Sequence, residues 1–303
     1  MRRKQEGILS YFARHNRDFS KKVGYSRAPS TYARYKVVYG HLSEYVQKRY
    51  KRDDVLLSAI RVSFIERFDI WLRKNCKLSP NSVWVYMIAL KHIFKLAQNE
   101  GLMNENPFAS YINSFTTVDR GYLTEEELQR ILQFEPTSGT EARVRDLFVF
   151  SAFTGLSYSD IKDLSWENVR TLFDGQTWLV TRRRKTNTPS NILLLDIPRR
   201  LMERHGNRQA TRIFSVPSNN CCNEYLAGIG RKCDIPTHIS FHIARHTFAT
   251  LSLSKGVPIE TLSAVLGHTN IRTTQIYAKI TNKKISEDMA AFADRIRELK
   301  LPE

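Results

Sequence analysis

Four side chains near the C-terminus have the types and spacing to act on a phosphodiester. His242 and Arg245 stand in His242-Ile-Ala-Arg245, His268 follows in Leu266-Gly267-His268, and Tyr277 lies nine positions beyond His268. At i, i+3 the first imidazole and the guanidinium project from one helical face. Arginine offers a planar fork matched to two phosphate oxygens, and it stays charged. A second imidazole at a glycine turn adds another donor, and the phenol supplies an oxygen nucleophile. These are the parts needed to attack a phosphodiester without a metal. Singly, each has a plainer reading, as a core histidine beside a surface arginine or as a half-buried packing tyrosine. The joint spacing of Arg245, His268 and Tyr277 is what carries weight.

The elements that must position these groups are legible around them. Ser240 can cap a helix over about 240–254, with Phe241, Ala244, Phe248 and Leu251 as its buried side. A helix follows Pro258 to about residue 266, Gly267 turns the chain, and a helix over 270–280 carries Tyr277. Upstream, Glu141 to Phe153 is apolar and helical, ending at Thr154-Gly155. The β-prone runs Trp178–Lys185 and Asn191–Leu195 form a hairpin around Thr186–Ser190. In the tail, Met289, Phe292, Ile296 and Leu299 make a helical stripe within Ser286–Lys300.

The first third reads as helices. Ser30 caps a segment from Thr31 to about Tyr50, with Tyr35, Val38, Leu42, Tyr45 and Val46 along one stripe. Ser79-Pro80 opens another, with apolar groups at Val83, Met87, Leu90, Ile93, Phe94 and Ala97 and Gly101 as its stop. Lys91, His92 and Lys95 lie on its other faces. Residues 104–121 break the periodicity, and Thr124-x-x-Glu127 is a capping box that opens a new helix. The expected division is a helical module over 1–115 and a second domain over 116–303.

Charge points to the partner. The 303 residues carry +17, of which +12 falls in residues 1–115. A polyanion is the natural complement, because each neutralised phosphate releases a condensed counterion. A merely soluble basic protein and a binder of anionic membranes are the competing readings of charge alone. No 18-residue apolar run is present, and the basic N-terminus lacks the apolar core of a signal peptide. Cys76, Cys221, Cys222 and Cys233 fit neither a disulfide framework nor a zinc spacing, so reduced thiols in a cytoplasmic protein are expected.

The stretches FHIARHTFAT (241–250), VLGHTNIRTTQIYAKI (265–280) and FTGLSYSDIKDLSWENV (153–169) resemble the tyrosine recombinases, the phage integrase family, and in particular integrases of Bacteroidetes mobile elements. The resemblance implies a mainly α protein with a small β-sheet, made of an N-terminal helical, SAM-like core-binding domain and an α+β catalytic domain. By that resemblance Tyr277 is the nucleophile, giving a 3′-phosphotyrosyl link and a free 5′-hydroxyl. Arg245 clamps the non-bridging oxygens, His242 donates to the same phosphate or assists proton transfer, and His268 hydrogen-bonds it from the opposite side. Lys185, in the run RRRKT, matches the family's mobile lysine and general acid, with a plain phosphate contact as its other reading. Arg182, Arg183 and Arg184 are expected to touch DNA, as are Lys91 and Lys95. Asp160 matches an acidic position that supports the site from behind.

One position departs from the pattern. Thr-Gly-Leu is normally followed by the first of two phosphate-gripping arginines, and here Ser157 stands in its place. A hydroxyl cannot supply the lost charge, and a missing transition-state donor costs about 10²–10³ in rate. Arg145, twelve residues upstream, is the expected replacement, with Arg143 as the fallback. No metal site or nucleotide loop is evident, so no cofactor is expected. The implied partner is double-stranded DNA at specific recombination sites, gripped by a protein that is monomeric when free and tetrameric in the synapse, with DNA-bending accessory proteins alongside. A catalytically impaired DNA-binding protein of the same fold and a topoisomerase IB-like relaxing enzyme are the alternatives. The N-terminus suits a simple recombinase, a fragment or a truncated chain, since family members often carry an arm-binding domain ahead of the core-binding one.

Overall fold

A computed structural model describes residues 6–116, 121–278 and 282–295. The chain divides into two compact units, residues 1–118 and 119–303.

The first unit is helical: α1 (Ile8–Ser20), α2 (Pro29–Tyr50), α3 (Val62–Lys74) and α4 (Pro80–Asn99). Its core is one continuous cluster that includes Phe12, Leu42, Ile65, Phe68, Met87 and Phe94. The stripe expected on α2 is the buried one. The helix begins at Pro29 rather than after Ser30, because proline at the first position needs no amide donor. Helix α4 starts as read, with the Ser79 hydroxyl accepting from Ser82 N–H at 3.3 Å, and Gly101 adopts the left-handed φ of 74° beyond it. Helix α1 has no cap of its own. Asp54, 45 residues away, accepts from the Leu9 and Ser10 amides at 2.9 Å each and from the Ser10 hydroxyl at 2.8 Å.

The second unit opens with α5 (Glu125–Gln133), whose Thr124–Glu127 capping box is fully formed. Helix α6 (Gly139–Thr154) is buried nearly all round and is the spine of this unit. It packs against α8 (Asp196–His205), α9 (Asn219–Lys232) and α10 (Phe241–Ser254). A short α7 (Tyr158–Asp163) leads into a three-stranded antiparallel sheet of order β1-β2-β3. Its strands are β1 (Val169–Thr171), β2 (Thr177–Arg182) and β3 (Pro189–Leu193). The pairing Leu179↔Ile192 turns both side chains into the core. The expected hairpin is present, with β2 ending at Arg182 and the Arg183 amide still donating to the Thr188 carbonyl at 2.8 Å as the turn begins. Strand β1, with helices α8 and α9, was not anticipated.

After α10 come α11 (Ile259–Leu266), a single turn α12 (Arg272–Gln275) and α13 (Asn282–Arg295). The expected helix over 270–280 is thus only one turn of α-helix in its described part. On α13, Met289 and Phe292 are exposed, while Ile296 and Leu299 lie outside the described residues.

Candidate active site

Two glycine turns converge on Arg245. Helix α10 carries this residue on its buried side, capped by the Ser240 hydroxyl as expected. Arg245 is only 7% exposed. Its Nη1 donates to the Gly155 carbonyl at 2.6 Å and its Nη2 to the Leu266 carbonyl at 2.8 Å. Both acceptors end helices at glycines of left-handed φ, 68° at Gly155 and 62° at Gly267. A Cβ on Gly155 would meet Phe248 at 2.6 Å and Leu266 at 2.8 Å. The guanidinium is therefore fixed by the carbonyls that helix ends leave without partners.

His268 sits on the turn after α11. Its Nε2 is 2.9 Å from Arg245 Nη2 and its Nδ1 is 2.8 Å from the Thr274 hydroxyl. Arginine can only donate, so Nε2 accepts and the ring is neutral, with its proton on Nδ1. Burial, then the charges of Arg245 and Arg183, push its pKa down to about 4. In this arrangement His268 orients Arg245 and has no free N–H for an anion.

Tyr277 closes the group. It is 7% exposed and packs with Ala249, Leu262 and Leu266. Its ring lies parallel to His268 at 6.4 Å and meets the edge of His246 at 4.9 Å. Its phenol is close enough to bear on the charge of both Arg245 and Arg183. His242 is exposed, with its Nε2 2.8 Å from His246 Nε2. His246 was missed in the sequence, although the i, i+4 spacing with His242 marks it as a neighbour.

The α6–α7 turn that Gly155 opens carries the remaining groups. Ser157 caps α7 and donates its hydroxyl to Asp160 Oδ2 at 2.6 Å, and its amide donates to the same oxygen at 3.0 Å. Asp160 also accepts from the Arg184 amide at 3.0 Å and pairs with Arg183 Nη1 at 2.6 Å. The Arg183 side chain is 12% exposed. Burial lowers its pKa, opposed by Asp160 and Tyr277. Burial, then Arg183, likewise brings Arg245 down to about 10. Two guanidinium groups thus share one desolvated pocket with a neutral imidazole and a phenol.

The family model described as phage integrase family matches residues 121–284, and the phage integrase SAM-like domain matches residues 8–116. The chain belongs to the phage integrase family, the tyrosine recombinases. Similar curated proteins include a XerC-like tyrosine recombinase of Caldanaerobacter subterraneus, 25% identical over 90% of this chain and 80% of its own length. Tyrosine recombinase XerD of Listeria monocytogenes is 25% identical, covering 84% of this chain and 94% of its own. Among solved structures, the Tn1549 transposon integrase in complex with transposon right end DNA superposes with a TM-score of 0.72 at 17% identity, over 95% of this chain and 100% of that one. A lambda integrase dimer bound to a COC′ core site gives 0.69 at 18% identity, over 91% and 98%. Those likenesses show that the tyrosine recombinase fold is shared.

Against this recombinase fold, the expected site residues separate. Arg245, His268, Tyr277, Ser157 and Asp160 come together, and His242 reaches the group through His246. Arg145, the expected replacement for the arginine absent at Ser157, does not join them in this structure. Its Nε donates to Asp146 at 2.8 Å and its Nη1 to the Phe134 carbonyl at 2.6 Å. Asp146 in turn holds His205 at 2.6 Å and Arg204 at 3.3 Å on α8. Arg145 is thus a pin between α5, α6 and α8. Arg143 is exposed on α6. Lys185 is exposed in the turn between β2 and β3.

The three consecutive arginines also part. Arg182 is exposed and donates to the Asn187 carbonyl at 2.9 Å. Arg184 pairs with Asp163 at 2.5 Å. Arg183, grouped with them as an expected DNA contact, turns inward to Asp160 instead of to solvent. The signal for this was period two: Leu179, Thr181 and Arg183 fall on one side of the hairpin. In the first unit, Lys91 and Lys95 are exposed on α4. Among the described residues, no three His, Cys, Asp or Glu side chains are grouped to hold a metal ion, and no helix is long and apolar enough to cross a membrane.

Proposed function

We propose that this recombinase cuts and rejoins double-stranded DNA at specific sites through a covalent link to Tyr277. The observation that carries the reading is the buried, carbonyl-fixed guanidinium of Arg245 beside the Tyr277 phenol. A cation held rigidly in a dry pocket stabilises developing phosphorane charge far better than one in water. The phenol gives its proton to the neighbouring His246 imidazole or to water as its oxygen attacks the scissile phosphorus, the bond to the 5′-oxygen breaks, and the DNA 3′-phosphate becomes a phosphotyrosyl diester. The departing 5′-oxygen takes a proton, for which Lys185 on the hairpin turn is the donor. Attack by a 5′-hydroxyl from another strand reverses the step and regenerates the phenol. One phosphodiester is exchanged for another, so strand exchange is nearly isoenergetic and needs no nucleotide.

In this reading His268 sets the orientation of Arg245, and Asp160 supports the pocket from behind. His242, paired with His246 at the rim, donates to the phosphate. The first unit is the core-binding domain, gripping the backbone with its net +12 and with Lys91 and Lys95 on α4. Arg182 and Arg184 contact backbone near the hairpin. Four protomers assemble the synapse on two sites, and the exposed Met289 and Phe292 of α13 dock on a neighbour. DNA-bending proteins assist where the sites are not intrinsically bent.

The test is covalent capture. The protein is incubated with sheared DNA from its own source and denatured, and the protein-linked fragments are sequenced. Adducts at one recurring sequence, absent in Tyr277→Phe, are expected. Tight, salt-sensitive binding with no adduct, even on a nicked suicide duplex that cannot reseal, would leave a non-catalytic DNA-binding protein.

A further inference from the structure

We infer that Arg183 is the second phosphate-binding guanidinium of this active site, entering from the β2–β3 hairpin to fill the place that Ser157 leaves empty of charge. The inference rests on the strand-cleavage reading above.

Three observations support it. The first is position. Arg183 shares a pocket with Arg245, near enough that its charge disfavours that of Arg245, and both feel the Tyr277 phenol. Fixed like charges are not buried together without a function or a counter-ion. Here one carboxylate, Asp160, faces two guanidinium groups, so the pocket keeps a surplus of positive charge. A phosphodiester carries one negative charge, and the phosphorane formed when Tyr277 attacks carries two.

The second is unsatisfied donor capacity. Arginine has five N–H donors. Arg183 Nη1 lies 2.6 Å from Asp160 Oδ2, yet this nitrogen is buried without an aligned hydrogen bond. The ion pair is the only polar contact of this side chain among the described residues. Arg245, by contrast, has both terminal nitrogens bonded to carbonyls. A guanidinium held by a single carboxylate keeps further N–H donors that can meet an oxyanion.

The third is how the space was made. A longer side chain at position 157 would extend into the space beside Asp160, which Ser157 contacts directly. Serine occupies little of that volume, and its hydroxyl holds Asp160 at 2.6 Å, leaving the carboxylate to anchor Arg183. On the other side, Gly267 lacks the Cβ that would meet Arg183 Cγ at 2.6 Å. The Ser190 hydroxyl donates to the Val265 carbonyl at 2.5 Å and fastens the root of the hairpin to α11. Ser157, Asp160 and Gly267 therefore form one cradle for a relocated cation.

The experiment is single-turnover cleavage of a nicked suicide duplex carrying the captured crossover sequence, at saturating protein. Arg183→Ala is expected to slow adduct formation by about 10²–10³ while DNA affinity falls far less. Adding Ser157→Arg to that variant is expected to return part of the lost rate, because it restores a cation to the same phosphate from the other side. Arg183→Lys keeps the charge next to Asp160 but not the fork, so a loss of at least about tenfold is expected even where alanine unfolds the turn. Replacing the scissile phosphate by a neutral methylphosphonate is expected to shrink the deficit, which a merely structural role would not do. Parental rates for Arg183→Ala or Arg183→Lys, or a deficit that disappears at saturating protein, overturn the inference. Absence of any Tyr277-dependent adduct from the parental protein overturns the strand-cleavage reading itself.

Discussion

The side chain of Arg183 crosses over Gly267 so closely that a Cβ on the glycine would stand 2.6 Å from Arg183 Cγ. The two residues are 84 positions apart and belong to the hairpin and to the α11–α12 turn. Gly267 therefore serves twice: its φ of 62° ends α11, and its missing side chain admits Arg183. Gly267→Ala should cost about 1–2 kcal/mol from the left-handed backbone alone. Displacement of Arg183 should add a loss in cleavage rate larger than that destabilisation explains. Thermal melting alongside single-turnover cleavage separates the two. A variant that melts lower but cleaves at the parental rate would show that the hairpin accommodates the methyl group.

How much of this was legible in the sequence follows from the reach of each signal. The caps at Ser79, Thr124 and Ser240 and the stops at Gly101, Gly155 and Gly267 are local, and each was read at or within a residue of its place. Arg245, His268 and Tyr277 were legible through joint spacing and family resemblance. The placement of Arg145 and Arg183 was not, because the sequence neighbourhood of Ser157 favours α6 and Arg145. That guanidinium is drawn the other way by Asp146 and the Phe134 carbonyl, a long-range network on α8 that no local pattern reveals. Within RRRK, charge alone cannot tell Arg183 from its neighbours, and only strand alternation separates it. The cap on α1 was likewise hidden, since Asp54 lies 45 residues from Leu9.

That cap gives a prediction for the first unit alone. Asp54 satisfies two amides and a hydroxyl at the start of α1, and Gly7 is held so close that a Cβ there would stand 2.1 Å from the carboxylate. Asp54→Ala should destabilise this unit by about 1–2 kcal/mol, read as a lower urea midpoint with unchanged slope. Asp54→Asn should lose less, because an amide oxygen still accepts. Equal midpoints for alanine and parental protein would mean that water caps the helix as well.

His268 should make stability depend on pH. Its pKa is held near 4 by burial and by the two guanidinium groups, below the ordinary histidine value of 6.5. Between those values the unfolded chain binds a proton that the folded chain refuses, so stability rises with pH. The loss on acidification should begin near pH 6.5, accumulate down to about pH 4 and then level off. His268→Asn cannot take up the proton and should flatten that part of the profile. His15 and His92 are also lowered by burial, so the readout is the difference between parental and variant melting curves. Parallel curves from pH 7 to 4 would mean that His268 titrates freely in the folded protein.

Arg145→Ala distinguishes a scaffold from a catalyst. Asp146 is 4% exposed, and three donors converge on it from α6 and α8: the Arg145 and Arg204 guanidinium groups and the His205 imidazole. Burial pushes the Asp146 carboxyl up, but hydrogen bonds from His205 and Arg145 outweigh it and hold the pKa below the usual value. Removing Arg145 takes away one partner and leaves two. The cost should therefore fall below the roughly 3–5 kcal/mol of a buried pair broken outright, at about 1–3 kcal/mol. A depressed pKa also means that the acid stays ionised and partnered down to low pH, and its stabilisation is lost only as pH falls through that lowered value. Arg145→Ala should weaken this dependence on acidification. Because none of its contacts touches Arg245, Arg183 or Tyr277, the folded variant should cleave a suicide duplex at the parental rate. A loss of about 10²–10³ in rate at full folding would instead put Arg145 on the phosphate and return Arg183 to the scaffold.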